Sequence, residues 1–128
     1  MKNFIILFLL SIATSFTQLK AQWVIEIQYE QGICGTREAA LLINHKLDSL
    51  YQIAGANIAI LEINGYSHET VAGLPLCQCR KDIGQRIVNN WLTANGLPLG
   101  NLTNCFHNPN VSNDPNYRKV TILVDSFL

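Results

Sequence analysis

Residues 57–64 read NIAILEIN. Ile58 and Ile60 alternate against Ala59, Leu61 and Ile63, so the run is apolar on both faces. A strand of that kind belongs in the interior of a sheet. Its neighbours along the chain decide what sheet it is. Upstream, WVIEIQYE (23–30) alternates, with Trp23, Ile25, Ile27 and Tyr29 on one side and Val24, Glu26 and Gln28 on the other. This is a strand with one buried face. QGICGT follows as a turn. Thr36 is placed to cap a helix, and Glu38 suits its first turn. Ala40, Ile43, Leu47, Leu50 and Ala54 form one apolar stripe at three- and four-residue steps, and Gly55 is the expected stop. Asn44, Lys46 and Asp48 fall on the exposed side.

Downstream, GYSHETVAGLP (65–75) reads as a loop. A second helix lies within 76–95, with Ile83, Ile87, Val88, Trp91 and Leu92 on its apolar face. Gly96 and Pro98 end it. Trp91 and Trp23 share faces with aliphatic residues and read as core aromatics. NLTNCF is a short strand, HNPNVSNDPN a loop, and YRKVTILVD a strong final strand. Strands alternating with helices imply parallel pairing, with the helices packed on the sheet. The last two strands have no helix between them, so one of them runs antiparallel.

The first residues stand outside this pattern. Lys2, the apolar run FIILFLLSIA and the small residue Ala21 follow the order of a secretory signal peptide. The apolar run is shorter than the roughly 20 residues a membrane span needs. The expected division is a signal peptide over 1–21 and one domain over 22–128, with no transmembrane span in the mature chain. Without Lys2 and Lys20, seven basic residues face nine acidic ones, a formal charge of −2. No basic face is evident, which argues against nucleic acid as a partner. Export makes disulfides the default for Cys34, Cys77, Cys79 and Cys105. Four cysteines allow three pairings, and the sequence does not choose among them.

Four stretches in order carry a family resemblance: IEINGYSHE, RIVNNWLTANGLPLGNLT, NPNVSND and NYRKVTILV. Over roughly 23–125 the chain resembles the OmpA-like peptidoglycan-binding domains of bacterial cell envelopes. The resemblance implies a two-layer α/β sandwich in β-α-β-α-β-β order. Its mixed four-stranded sheet would carry two helices on one face, with the last strand antiparallel. It implies non-covalent contact with the diaminopimelate part of the peptidoglycan stem peptide, or envelope anchoring, in the periplasm or cell envelope. The family grips that ligand with an aspartate after the second strand and an arginine near the start of the second helix. A guanidinium holds a carboxylate by paired charge-assisted hydrogen bonds, and an acid holds the ammonium.

Gly65, Tyr66 and Ser67 match the family's Gly-His-Thr, which puts His68 at the aspartate position and Glu69 beside it. Matching Leu76-Cys77 to the family's Leu-Ser makes Arg80 the arginine; matching Trp91-Leu92 puts that position near Gly84. Arg118 matches the family's arginine pair at the last strand. The ligand-binding candidates are therefore His68, Glu69, Arg80 and Arg118. Taken alone, His68 reads as a solvated loop histidine, and Arg118 as the partner of a local carboxylate such as Asp114 or Asp125. The alternative function is a disulfide-stapled periplasmic interaction protein of the same fold that has lost peptidoglycan binding. Peptidoglycan or envelope proteins are the partners to expect. The sequence holds no phosphate loop, usefully spaced carboxylate pair or His-Glu-x-x-His, so no enzyme, cofactor or metal is expected. A zinc site built from the cysteines with His68 and His107 is the weaker alternative, because Cys-x-Cys is shorter than the common zinc spacer.

In this arrangement the four cysteines crowd the strand ends where the family holds its ligand. One residue between Cys77 and Cys79 strains a direct bridge. Each is expected to pair outward, one with Cys34 and one with Cys105.

Overall fold

The computed structural model describes residues 22–126. The expected signal peptide, 1–21, lies outside the described residues. Thr36 caps the first helix, α1 (Arg37–Ala54): its hydroxyl accepts from the Ala39 amide at 3.0 Å, and Glu38 sits in the first turn. Gly55 ends α1. The strands are β1 (Gln22–Gln28), β2 (Ile58–Ser67), β3 (Thr70–Val71), β4 (Leu74–Pro75), β5 (Leu102–His107) and β6 (Arg118–Ser126). The second helix, α2, runs from Leu76 to Ala94 and closes with Gly96 and Leu97 amides on the Thr93 and Leu92 carbonyls.

The main sheet has the order β1-β6-β2-β5. β6 is antiparallel to both β1 and β2, while β2 and β5 are parallel. This is the mixed four-stranded sheet with two helices on one face, a two-layer α/β sandwich. The core lies between the layers. Ile25, Ile27, Ile63, Val120, Ile122 and Val124 rise from the sheet to meet Ile43, Leu47, Val88, Trp91 and Leu92 from the helices. Trp23 packs against this core from its margin. Trp91 does more than fill space: its indole N–H donates to Asp48 Oδ1 at 2.8 Å, locking α2 to α1 through a residue expected only on the exposed side. Among the described residues, no helix is long and apolar enough to cross a membrane.

β2 is interior, as its apolar character requires, but only one of its faces is covered by helices. A bulge between Ile60 and Glu62 resets the alternation, leaving Ala59 and Leu61 half-buried on the open side.

The stretch 65–75 differs from the expected loop. β2 runs on through Gly65 to Ser67, and a small β3–β4 hairpin follows. The reason for the first lies in packing. A Cβ at Gly65 would stand 2.2 Å from the Cys77 carbonyl oxygen, so the glycine lets α2 press directly onto β2. The hairpin turns on Ala72 (φ 54) and Gly73 (φ 80), the paired positive angles a two-residue turn of this hand needs.

Gly65→Ala tests the close approach. It should cost about 3 kcal/mol or more in chemical unfolding, because backbone rather than a flexible side chain must move. An unchanged unfolding midpoint contradicts it.

Candidate functional site

The carboxyl ends of β1, β2 and β5 share one edge of the sheet, where ligands commonly bind in open α/β sheets. The start of α2 and the turn before β6 complete this pole. Both disulfides are here. Cys34 in the β1–α1 loop bonds Cys79, and Cys77 bonds Cys105 on β5. There is no Cys77–Cys79 bridge and no free cysteine among the described residues. All four sulfurs are thus taken, which removes them as zinc ligands. The bridges close chain separations of 45 and 28 residues, each worth about 4 kcal/mol on a loop-entropy scale.

Between the bridges lies Arg80, wholly buried. Its Nε donates to the Ile33 carbonyl at 2.9 Å. Nη1 donates to the Tyr66 carbonyl (2.8 Å), Glu69 Oε1 (3.1 Å) and the Tyr117 carbonyl (3.2 Å), and Nη2 to the Glu30 carbonyl at 3.3 Å. The guanidinium also lies 5.7 Å from the Tyr29 ring centroid. It gathers the β1–α1 loop, the end of β2, the segment before β3 and the turn before β6. Arg80 is the ligand candidate nearest the start of α2, and in this structure its polar atoms are all engaged within the protein. Its fork is turned inward and exposes no surface.

Glu69 is the counter-charge. Besides Arg80, it accepts from the Gly32 amide at 3.0 Å through Oε2. Burial raises its carboxyl pKa, but the Gly32 amide, Arg80 and His68 together outweigh that and hold it below the ordinary range. Burial likewise pulls Arg80 downward, opposed by Glu69 and Tyr29, while nearby Arg118 adds to the downward pull. A guanidinium nonetheless stays charged in proteins. Burial pushes the Tyr29 phenol up, offset in part by Arg80.

His68 is not a solvated loop residue. Its side chain is only 7% exposed, with Nε2 at 3.7 Å from Glu69 Oε2 and no hydrogen-bond partner. Arg118 is half-buried and, among the described residues, in no ion pair. The expected partners face elsewhere: Asp114 accepts from the Asn116 amide, and Asp125 lies near the far end of β6. Arg118 Nε is buried without a hydrogen-bond partner. His68, Glu69 and Arg80 therefore come together, with Arg118 at their margin.

One contact had no signal in the sequence. Ser67 Oγ lies 2.8 Å from His107 Nδ1, across the parallel β2–β5 pair. The geometry suits a nucleophile and base. Ser67, however, is fully buried, so its hydroxyl cannot meet a substrate and instead joins two strand ends. Only the strand register, which sequence spacing does not provide, brings these residues side by side.

No protein-family model matches the chain. No curated protein matches it. Among solved structures it is similar to the cell wall anchor of the T6SS from Pseudomonas aeruginosa, with a TM-score of 0.54 and 14% sequence identity. The match covers 90% of this chain and 93% of that one. At this identity the likeness is one of fold.

Two outcomes follow from the Glu69–Arg80 pair. Glu69→Gln should cost about 3 kcal/mol at pH 7, since it leaves a buried guanidinium without its counter-charge. The folded pKa of Glu69 is lowered, so its stabilisation is full above the unfolded carboxylate value and is lost as pH falls through the folded value. The stability gap between wild type and Glu69→Gln, followed by chemical unfolding, should therefore shrink on acidification below about pH 4. A gap that is absent at pH 7, or constant with pH, contradicts the assignment.

Proposed function

We propose that this chain is an exported cell-envelope module of the OmpA-like kind, non-catalytic, that anchors through protein contacts. In it the family's arginine–acid clamp has become an internal latch. The observation that carries this reading is the burial of Arg80, with Glu69 and four backbone carbonyls around its guanidinium. A ligand carboxylate would have to displace all of them. The fold-level likeness to a cell wall anchor supports an envelope setting, and two disulfides suit the periplasm.

A second reading keeps direct peptidoglycan contact. It is favoured by the meeting of Glu69 and Arg80, an acid and an arginine at or beside the two family positions, 3.1 Å apart. In that reading the latch opens, Arg80 takes the carboxylate of the stem peptide, and Glu69 takes the ammonium.

Pelleting with purified peptidoglycan separates the two. On the first reading the oxidised chain stays in the supernatant. Retention of the wild type that Glu69→Gln abolishes overturns the first reading and supports the second.

A further inference from the structure

The β3–β4 hairpin holds two large apolar side chains in solvent: Val71 is 51% exposed and Leu74 66%. Its turn also keeps Ala72 at φ 54, a left-handed conformation unfavourable for any residue with a Cβ. Backbone strain of this kind tends to persist where a function needs the shape. Facing the hairpin, α2 presents Gln78, Asp82 and Arg86 at four-residue steps, which align along one side of a helix. Ile83 and the Cys34–Cys79 bridge lie between the two walls. The cleft so formed has a volume of about 560 Å³, within the range of roughly 300–1,000 Å³ typical of ligand sites. Its floor is fixed. The bridge ties the β1–α1 loop to α2, and Gly35 packs so closely on Ile83 that a Cβ there would come within 2.9 Å of it.

The charges along the rim are unequal. Lys81 stands 3.9 Å from Asp82 and partly neutralises it. Arg86 is exposed and, among the described residues, in no ion pair. An occupant must therefore bring apolar surface for Val71, Leu74 and Ile83, and a negative charge for Arg86. Gln78, two turns before Arg86 on the same wall, offers an amide donor and acceptor, the match for a peptide backbone. Among the described residues no aromatic ring lines the cleft, so those residues give a sugar nothing to stack on.

We propose that this cleft binds an extended segment of a protein partner, with an apolar side chain seated on Val71, Leu74 and Ile83 and an acidic side chain on Arg86. Glu69 and Arg80 do not line it, although Gly32, whose amide donates to Glu69, does, so the cleft adjoins the latch without including its charged pair. The inference rests on the interaction-module reading for its partner, but the two fail separately, since peptidoglycan pelleting tests one and peptide binding the other.

The test uses the full oxidised chain as bait for a random octapeptide display library. Enriched peptides are then synthesised and titrated by fluorescence anisotropy. They should carry an acidic residue close to an apolar one. Their affinity should fall about tenfold on Val71→Asp, which spoils the apolar wall, and on Arg86→Glu. Replacing the peptide's acid by lysine should restore binding to Arg86→Glu. Both sites are on the surface, and far-ultraviolet circular dichroism confirms that the variants fold. No enrichment, or peptides that bind either variant undiminished, overturns the proposal.

Discussion

A guanidinium with no exposed surface must find all its partners inside the protein, and the pole of this molecule is organised around that requirement. Arg80 is reached by carbonyls from the β1–α1 loop, the end of β2 and the turn before β6, and by one carboxylate. None of these segments has much core of its own. Each is tied to the others because unpaired donors on a buried charge would cost several kcal/mol. The two bridges act on the same helix turn. Cys79 precedes Arg80 directly and Cys77 stands three residues before it, so covalent and ionic ties converge on the start of α2. Gly65 makes this convergence possible by letting that turn sit directly on β2.

The same arrangement explains why a family-like set of residues need not make a family-like site. An arginine and an acid that recognise a zwitterion from solution must leave their polar atoms accessible. In the sequence resemblance to OmpA-like domains, Glu69 lies one residue beyond the position that corresponds to their aspartate. The shift places it between the Gly32 amide and Arg80. The acid then neutralises the arginine directly, and the loops close over both. His68, just before Glu69, is drawn into the same buried cluster as its neighbour.

Much of the fold was legible in the chain. Period-two and helical patterns located four main strands and two helices, and the missing helix between the last two strands foretold the antiparallel β6. Thr36, Gly55 and the Gly96 stop marked helix ends through their local chemistry. The 65–75 stretch was not legible, because Gly65 reads locally as a loop residue, whereas its role is to admit a helix from elsewhere in the chain. Ala72 likewise carries no sequence sign of a positive φ. In the site, the sequence named His68, Glu69 and Arg80, but not which way Arg80 points. That depends on carbonyls of Glu30, Ile33, Tyr66 and Tyr117, and backbone acceptors leave no trace in residue identity. The Ser67–His107 contact was hidden for a related reason, since it follows from strand register.

The most direct measurement is solvent exchange of the Arg80 side-chain N–H protons, followed by nuclear magnetic resonance in the oxidised protein at neutral pH. Arg86, on the exposed side of the same helix, is the internal reference. If Arg80 is the buried latch, its Nε–H signal persists with exchange far slower than that of Arg86. Exchange as fast as that of Arg86 would mean that the guanidinium meets water freely, and would contradict the account.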